Sequence, residues 1–111
     1  MKDDILADYD VEKALDWLRD NAEAIGKAKE DAIRTDKMLS HIKSVAMKHS
    51  SEIAVSAQER EAYASQEYTD GIEAMAKAAG HYETEKAKRE AAALKIEVWR
   101  SASANYRSMK L

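Results

Sequence analysis

Ser50-Ser51-Glu52-Ile53-Ala54-Val55-Ser56-Ala57-Gln58-Glu59-Arg60-Glu61-Ala62-Tyr63-Ala64-Ser65-Gln66-Glu67-Tyr68 is the stretch on which the fold turns. On either side of it, apolar residues recur every three or four positions; inside it that spacing breaks. Ser56-Ala57-Gln58-Glu59 has the form of a capping box, in which a serine oxygen accepts an early helical N–H and a glutamate three residues on reaches back. Ser65 offers a second N-cap, with Glu67 in the first turn where negative charge suits the helix dipole. The stretch therefore reads as an elbow between two long helices, the second returning antiparallel to the first.

Composition supports helix throughout. The 111 residues hold 21 alanines, no proline and three glycines, so summed propensity favours helix almost everywhere, and no period-two run of β-branched residues argues for a strand. The expected fold is all-α: a long antiparallel helical hairpin with a short elbow helix, one domain over residues 1–111. Its parts are a long helix at about 8–49, an elbow at 50–65 and a long helix at about 66–107. The absence of cysteine excludes disulfides and thiolate chemistry. No apolar run approaches the roughly 20 residues that span a bilayer. The acidic start Met1-Lys2-Asp3-Asp4 lacks the pattern of a signal peptide, so a cytoplasmic location is expected.

Charge is distributed in blocks. Residues 1–36 carry 6 basic and 11 acidic groups, net −5; residues 37–60 are net +2, residues 61–85 net −5, and residues 86–111 net +5. In an antiparallel hairpin each block faces one of opposite sign, so the blocks neutralise one another and help set the register.

The apolar pattern of the first helix runs through Val11, Leu15, Leu18, Ala22, Ile25, Ala28, Ala32, Leu39, Ile42, Ala46 and His49, with Asp8 or Asp10 as candidate cap. Its slow drift round the helix is that of a left-handed coiled coil. The first half of the second helix uses Tyr68, Ile72, Met75, Ala79 and Tyr82, with Gly71 and Gly80 marking close approach or a bend. Its last half carries two stripes. Ala87, Ala91, Leu94, Val98, Ala102 and Met109 form one; Ala92, Ile96, Trp99, Ser103 and Tyr106 form the other. A helix in a lone hairpin needs one apolar stripe. The surplus, read as Ile96, Trp99 and Tyr106, is assigned to an interface between copies of the chain, making it a homo-oligomer.

Motifs for catalysis are missing. His41, His49 and His81 never stand at the i, i+4 spacing that puts two metal ligands on one helical face, and no phosphate loop, nucleophile elbow or nucleotide fingerprint occurs. No enzyme, cofactor or metal is expected. Two basic sets remain. Lys95, Trp99, Arg100, Tyr106, Arg107 and Lys110 interleave cations with aromatic rings, as a single-strand-binding surface does. Lys37, Lys43, Lys48 and Arg60 lie near the elbow; in an oligomer whose elbows cluster, they sum to a strong positive surface, and they are the preferred phosphate contacts. Neither helix has the bulky apolar anchors and basic face of a membrane-surface helix.

Two fragments, residues 58–68 and Glu97-Val98-Trp99-Arg100-Ser101, resemble small helical proteins of tailed phages and prophages associated with recombination and replication gene clusters, over roughly residues 37–107. The layout, with Trp17-Leu18, a lysine-rich helix and a tyrosine-containing start to a second long helix, is also similar to the recombination mediator family of T-even phages. That resemblance implies a helical ring-forming protein that loads recombinase on single-stranded DNA, with basic contacts loosely matching Lys37 through Lys48. The expected function is thus an oligomeric accessory protein of DNA recombination or replication that binds single-stranded DNA, its binding proteins, or both. The alternative is a nucleic-acid-free interaction protein, such as a phage-encoded inhibitor of a host protein.

Overall fold

The computed structural model describes residues 8–110, and the side chains of residues 8–109. The expected lead-in at residues 1–7 and the side chain of Lys110 lie outside them. The chain forms three helices: α1 (Asp8–Lys48), α2 (Val55–Tyr63) and α3 (Gln66–Lys110). No strand occurs among the described residues. Asp8 and Asp10 in the first turn of α1, and Lys48 in its last, complement the helix dipole.

Packing divides the chain into two units. One combines α1 up to Ile25 with α3 from Thr84 onward; the other runs from Gly26 to Glu83. In the first unit, Asp8 meets Trp99, whose indole Nε1 donates to Asp8 Oδ1 at 2.9 Å. In the second, Leu39 and Ile42 lie against Gly71, and Asp31 lies within the electrostatic reach of His81. Later residues of α1 thus meet earlier residues of α3, and the two helices are antiparallel in that unit.

The seam is built from small side chains. Val11, Ala14, Ile25, Ala28, Ala62 and Ala92 are the buried apolar residues, joined by Gly71, and no large side chain is fully buried. Four of those six are alanines, so the helices gain close backbone approach rather than a thick core. Two polar residues on the seam return their donors to their own helix: Asn21 Nδ2 donates to the Trp17 carbonyl at 2.9 Å, and Thr35 Oγ1 to the Asp31 carbonyl at 2.8 Å.

This seam corrects the expected stripes. Leu15 is 51% exposed while its neighbour Ala14 is buried. On α3 the inward positions are Tyr68, Gly71, Met75, Ala78 and Tyr82, whereas Ile72 and Ala79 are exposed. At Ala14/Leu15 and Gly71/Ile72, pattern reading favours the bulkier residue and close packing selects the smaller one.

The elbow is capped differently from its sequence pattern. The N-cap of α2 is Ala54, with no side-chain cap, so Ser56 lies inside the helix and the Ser56–Glu59 box is not formed. The preceding loop is tied from outside instead. Ser50 Oγ accepts the Glu52 N–H at 3.1 Å and donates to Glu61 Oε2 at 2.9 Å, and Gln58 Nε2 donates to the Glu52 carbonyl at 2.9 Å. Ser65 does cap α3, accepting the Tyr68 N–H at 3.2 Å, and its hydroxyl also donates to the Ala62 carbonyl at 2.6 Å. One serine therefore closes α2 and opens α3.

The glycines give a test. A methyl group on Gly71 would stand 2.7 Å from Ile42 Cδ1 and 3.1 Å from Leu39 Cδ2, whereas one on Gly26 would meet nothing within 4 Å. Gly26→Ala should raise stability by about 1 kcal/mol through helix propensity. Gly71→Ala gains the same propensity but must push aside the Ile42 and Leu39 side-chain ends, so it should stabilise less than Gly26→Ala. Urea midpoints of the two variants check this; a Gly71→Ala as stabilised as Gly26→Ala would mean that the seam is looser than described.

Candidate interaction surface at the elbow

Lys43 of α1 is the centre of the elbow. Its Nζ lies 3.8 Å from Glu59 Oε1 and 4.7 Å from the centroid of the Tyr63 ring, both on α2. Tyr63 in turn meets Tyr68 of α3 edge-to-face, with centroids 5.2 Å apart and planes at 84°. Side-chain hydrogen bonding with Tyr63 raises the Lys43 pKa above that of a free lysine, the nearby Glu59 charge adds to the rise, and desolvation opposes it. The ammonium contact is therefore complete below the ordinary lysine pKa and is lost only as pH rises through the higher folded value. Lys43 thus ties α1 to α2, and Tyr63 carries the contact on to Tyr68 of α3.

The four expected phosphate contacts do not gather within one chain. Lys37, Lys48 and Arg60 are exposed, while Lys43 is half-buried and engaged. Lys37 and Lys48, eleven residues apart, point about 20° from each other round α1, but Lys43 points about 140° from Lys48. The sequence does not mark the structural role of Lys43, Glu59 and Tyr63: Glu59 fits the spacing of a capping box, and nothing joins Lys43 to Tyr63, twenty residues later in the chain.

Beside this cluster, a groove of about 490 Å³ runs over Ile42, Val45 and Ala46, rimmed by His41 and His49 and by Glu61 and Glu67. No group of three or more potential metal-binding side chains occurs among the described residues. His49 follows the end of α1, its N–H bonded to the Val45 carbonyl at 3.2 Å.

The residues assigned to a contact between copies fall in the first unit. Ile96 and Trp99 are half-buried, while Tyr106 is 56% exposed. Of the two stripes on the last half of α3, the one through Ala92, Ile96, Trp99 and Ser103 faces inward, and Leu94 and Met109 of the other are 63% and 83% exposed. Many ion pairs close within a helix: Lys27–Asp31 at 2.8 Å, Arg34 with Glu30 and Asp31, Arg19–Asp16 at 3.4 Å and Arg100–Glu97 at 3.1 Å. Such exposed pairs stabilise little. They do reduce the free positive charge that Arg19, Arg34 and Arg100 offer a ligand.

No described helix is long and apolar enough to cross a membrane. Comparison with protein-family models, curated proteins and solved structures finds no match to this chain.

Lys43→Ala should lower the thermal midpoint, since it removes the Glu59 and Tyr63 contacts together. Lys37→Ala, on the open face of the same helix, should leave stability within about 0.5 kcal/mol of the parent. Equal effects in thermal melts would refute the assignment of Lys43 as the tie between helices.

Proposed function

We propose that this chain is a non-catalytic accessory protein of phage-type DNA recombination or replication. It self-associates and binds single-stranded DNA, its binding proteins, or both, in the cytoplasm of the bacterial host. The observation that carries the nucleic-acid part is the set of exposed cations, Lys37, Lys48 and Arg60, on and beside the elbow, next to a Lys43 already consumed by structure. Lys37 and Lys48 share a face of α1 but stand about 16 Å apart along it, so they act on a polyanion most strongly when several copies contribute. Self-association rests on the apolar surface left over by a thin seam: Leu94, Tyr106 and Met109 in the first unit, and Ile53, 96% exposed, before α2.

The second reading is a helical interaction protein that binds no nucleic acid, such as an inhibitor of a host protein. The capture of Lys43 and the pairing of Arg19, Arg34 and Arg100 with carboxylates favour it.

Titration with a single-stranded oligonucleotide at two salt concentrations, alongside light scattering, separates the two. The proposal expects a mass above that of one chain and log K falling with log salt by about 0.7 per phosphate neutralised. Charge reversal at Lys37 and Lys48 should weaken binding and flatten that slope without changing the mass. Absence of binding at low salt would transfer the chain to the second reading.

A further inference from the structure

A second groove lies wholly in the first unit, between α1 and α3. It holds about 320 Å³, with the buried Ala14 and Ala92 in its floor and Lys13, Trp17, Lys88 and Lys95 around it. Three lysines and a tryptophan line one cleft, an arrangement that the elbow lysines do not achieve. Resting on the function proposed above, we infer that this groove is a contact for single-stranded nucleic acid, its lysines taking phosphates and Trp17 taking a base.

The available charge supports this. Lys95 has no ion pair among the described residues, and Lys13 rests 5.3 Å from the centroid of the Tyr9 ring. Lys88 lies 3.5 Å from Glu85, an exposed pair that stabilises little and for which a phosphate can compete. With Asp10 lining the groove and Glu85 beside it, the three lysines leave a local excess of one positive charge. Lys88 and Lys95 are seven residues apart, two turns along one face of α3, so they line the cleft in a row rather than at a point.

Size chooses between polyanions. An acidic helix about 10–12 Å across needs a broad face, and a cleft of this volume is at the small end of ligand sites. A flat base fits such a space, and an aromatic ring beside cations provides both the stacking and the charge that single strands use. The sequence pattern hides the site because Lys13 and Trp17 stand more than seventy residues before Lys88 and Lys95.

The test is a titration of the full chain with oligothymidylate, followed by tryptophan fluorescence. The wild type should be quenched, and Trp17→Phe, which leaves Trp99 as reporter, should lose the quench. Lys88→Glu with Lys95→Glu should weaken affinity about tenfold or more at low salt and flatten the salt slope by about 1.4, two contacts at about 0.7 each. Circular dichroism must show unchanged helicity in both variants. If binding persists undiminished in these variants but is lost on charge reversal at Lys37 and Lys48, this groove is not the contact and the proposed function stands. Failure of the wild type to bind oligothymidylate overturns both. Quenching of Trp17 by polyglutamate alone also overturns both, and assigns the groove to an acidic polypeptide.

Discussion

The structure depends on how closely α1 and α3 approach. Ala14, Ala28, Gly71 and Ala92 keep the seam narrow, and at Gly71 the Leu39 and Ile42 side chains occupy the space that a Cβ would need. Narrowness has an energetic counterpart. A buried methyl removes far less apolar surface from water than a buried leucine, whose full burial stabilises by about 1.5–3 kcal/mol. The pairing therefore leans on helix propensity and on point contacts such as Trp99 with Asp8 and Lys43 with Tyr63. Larger apolar side chains such as Leu15, Leu94 and Met109 are left outside.

Helical class was legible because it is written locally, in alanine content and in spacings of three and four. The Ser65 cap was legible for the same reason, since its acceptor and donor are three residues apart. What escaped was decided at a distance. Ser56 has the spacing of a cap, yet α2 starts at Val55, and Ser50 and Gln58 fasten the preceding loop. Leu15 and Ile72 look like seam residues by hydropathy, but adjacent positions differ by about 100° round a helix, and the partner helix decides which side it approaches.

The same distinction governs charge. Block totals describe a long-range field, whereas availability to a ligand depends on the nearest carboxylate. Lys43 and Lys48 have equal weight in any sum along the chain, yet one is held by Glu59 and Tyr63 and the other is exposed. Asp31 shows the reverse case: the hydrogen bond from Lys27 chiefly, with Arg34 and His81 assisting, holds its carboxylate below the ordinary range. Counting residues locates basic segments; only the fold distributes their charge between structure and surface.

The contacts also differ in how much chain they enclose. Ser65 joins Ala62 and Tyr68 across three positions each way, and Lys43 reaches Tyr63 over a short span, whereas the Trp99–Asp8 hydrogen bond joins partners 91 positions apart. Closing a loop costs entropy that grows with its length, so the elbow contacts form at a smaller cost than the terminal one. By loop entropy alone, the Asp8–Trp99 bond is therefore the contact whose closure is most costly, and its loss frees the most chain.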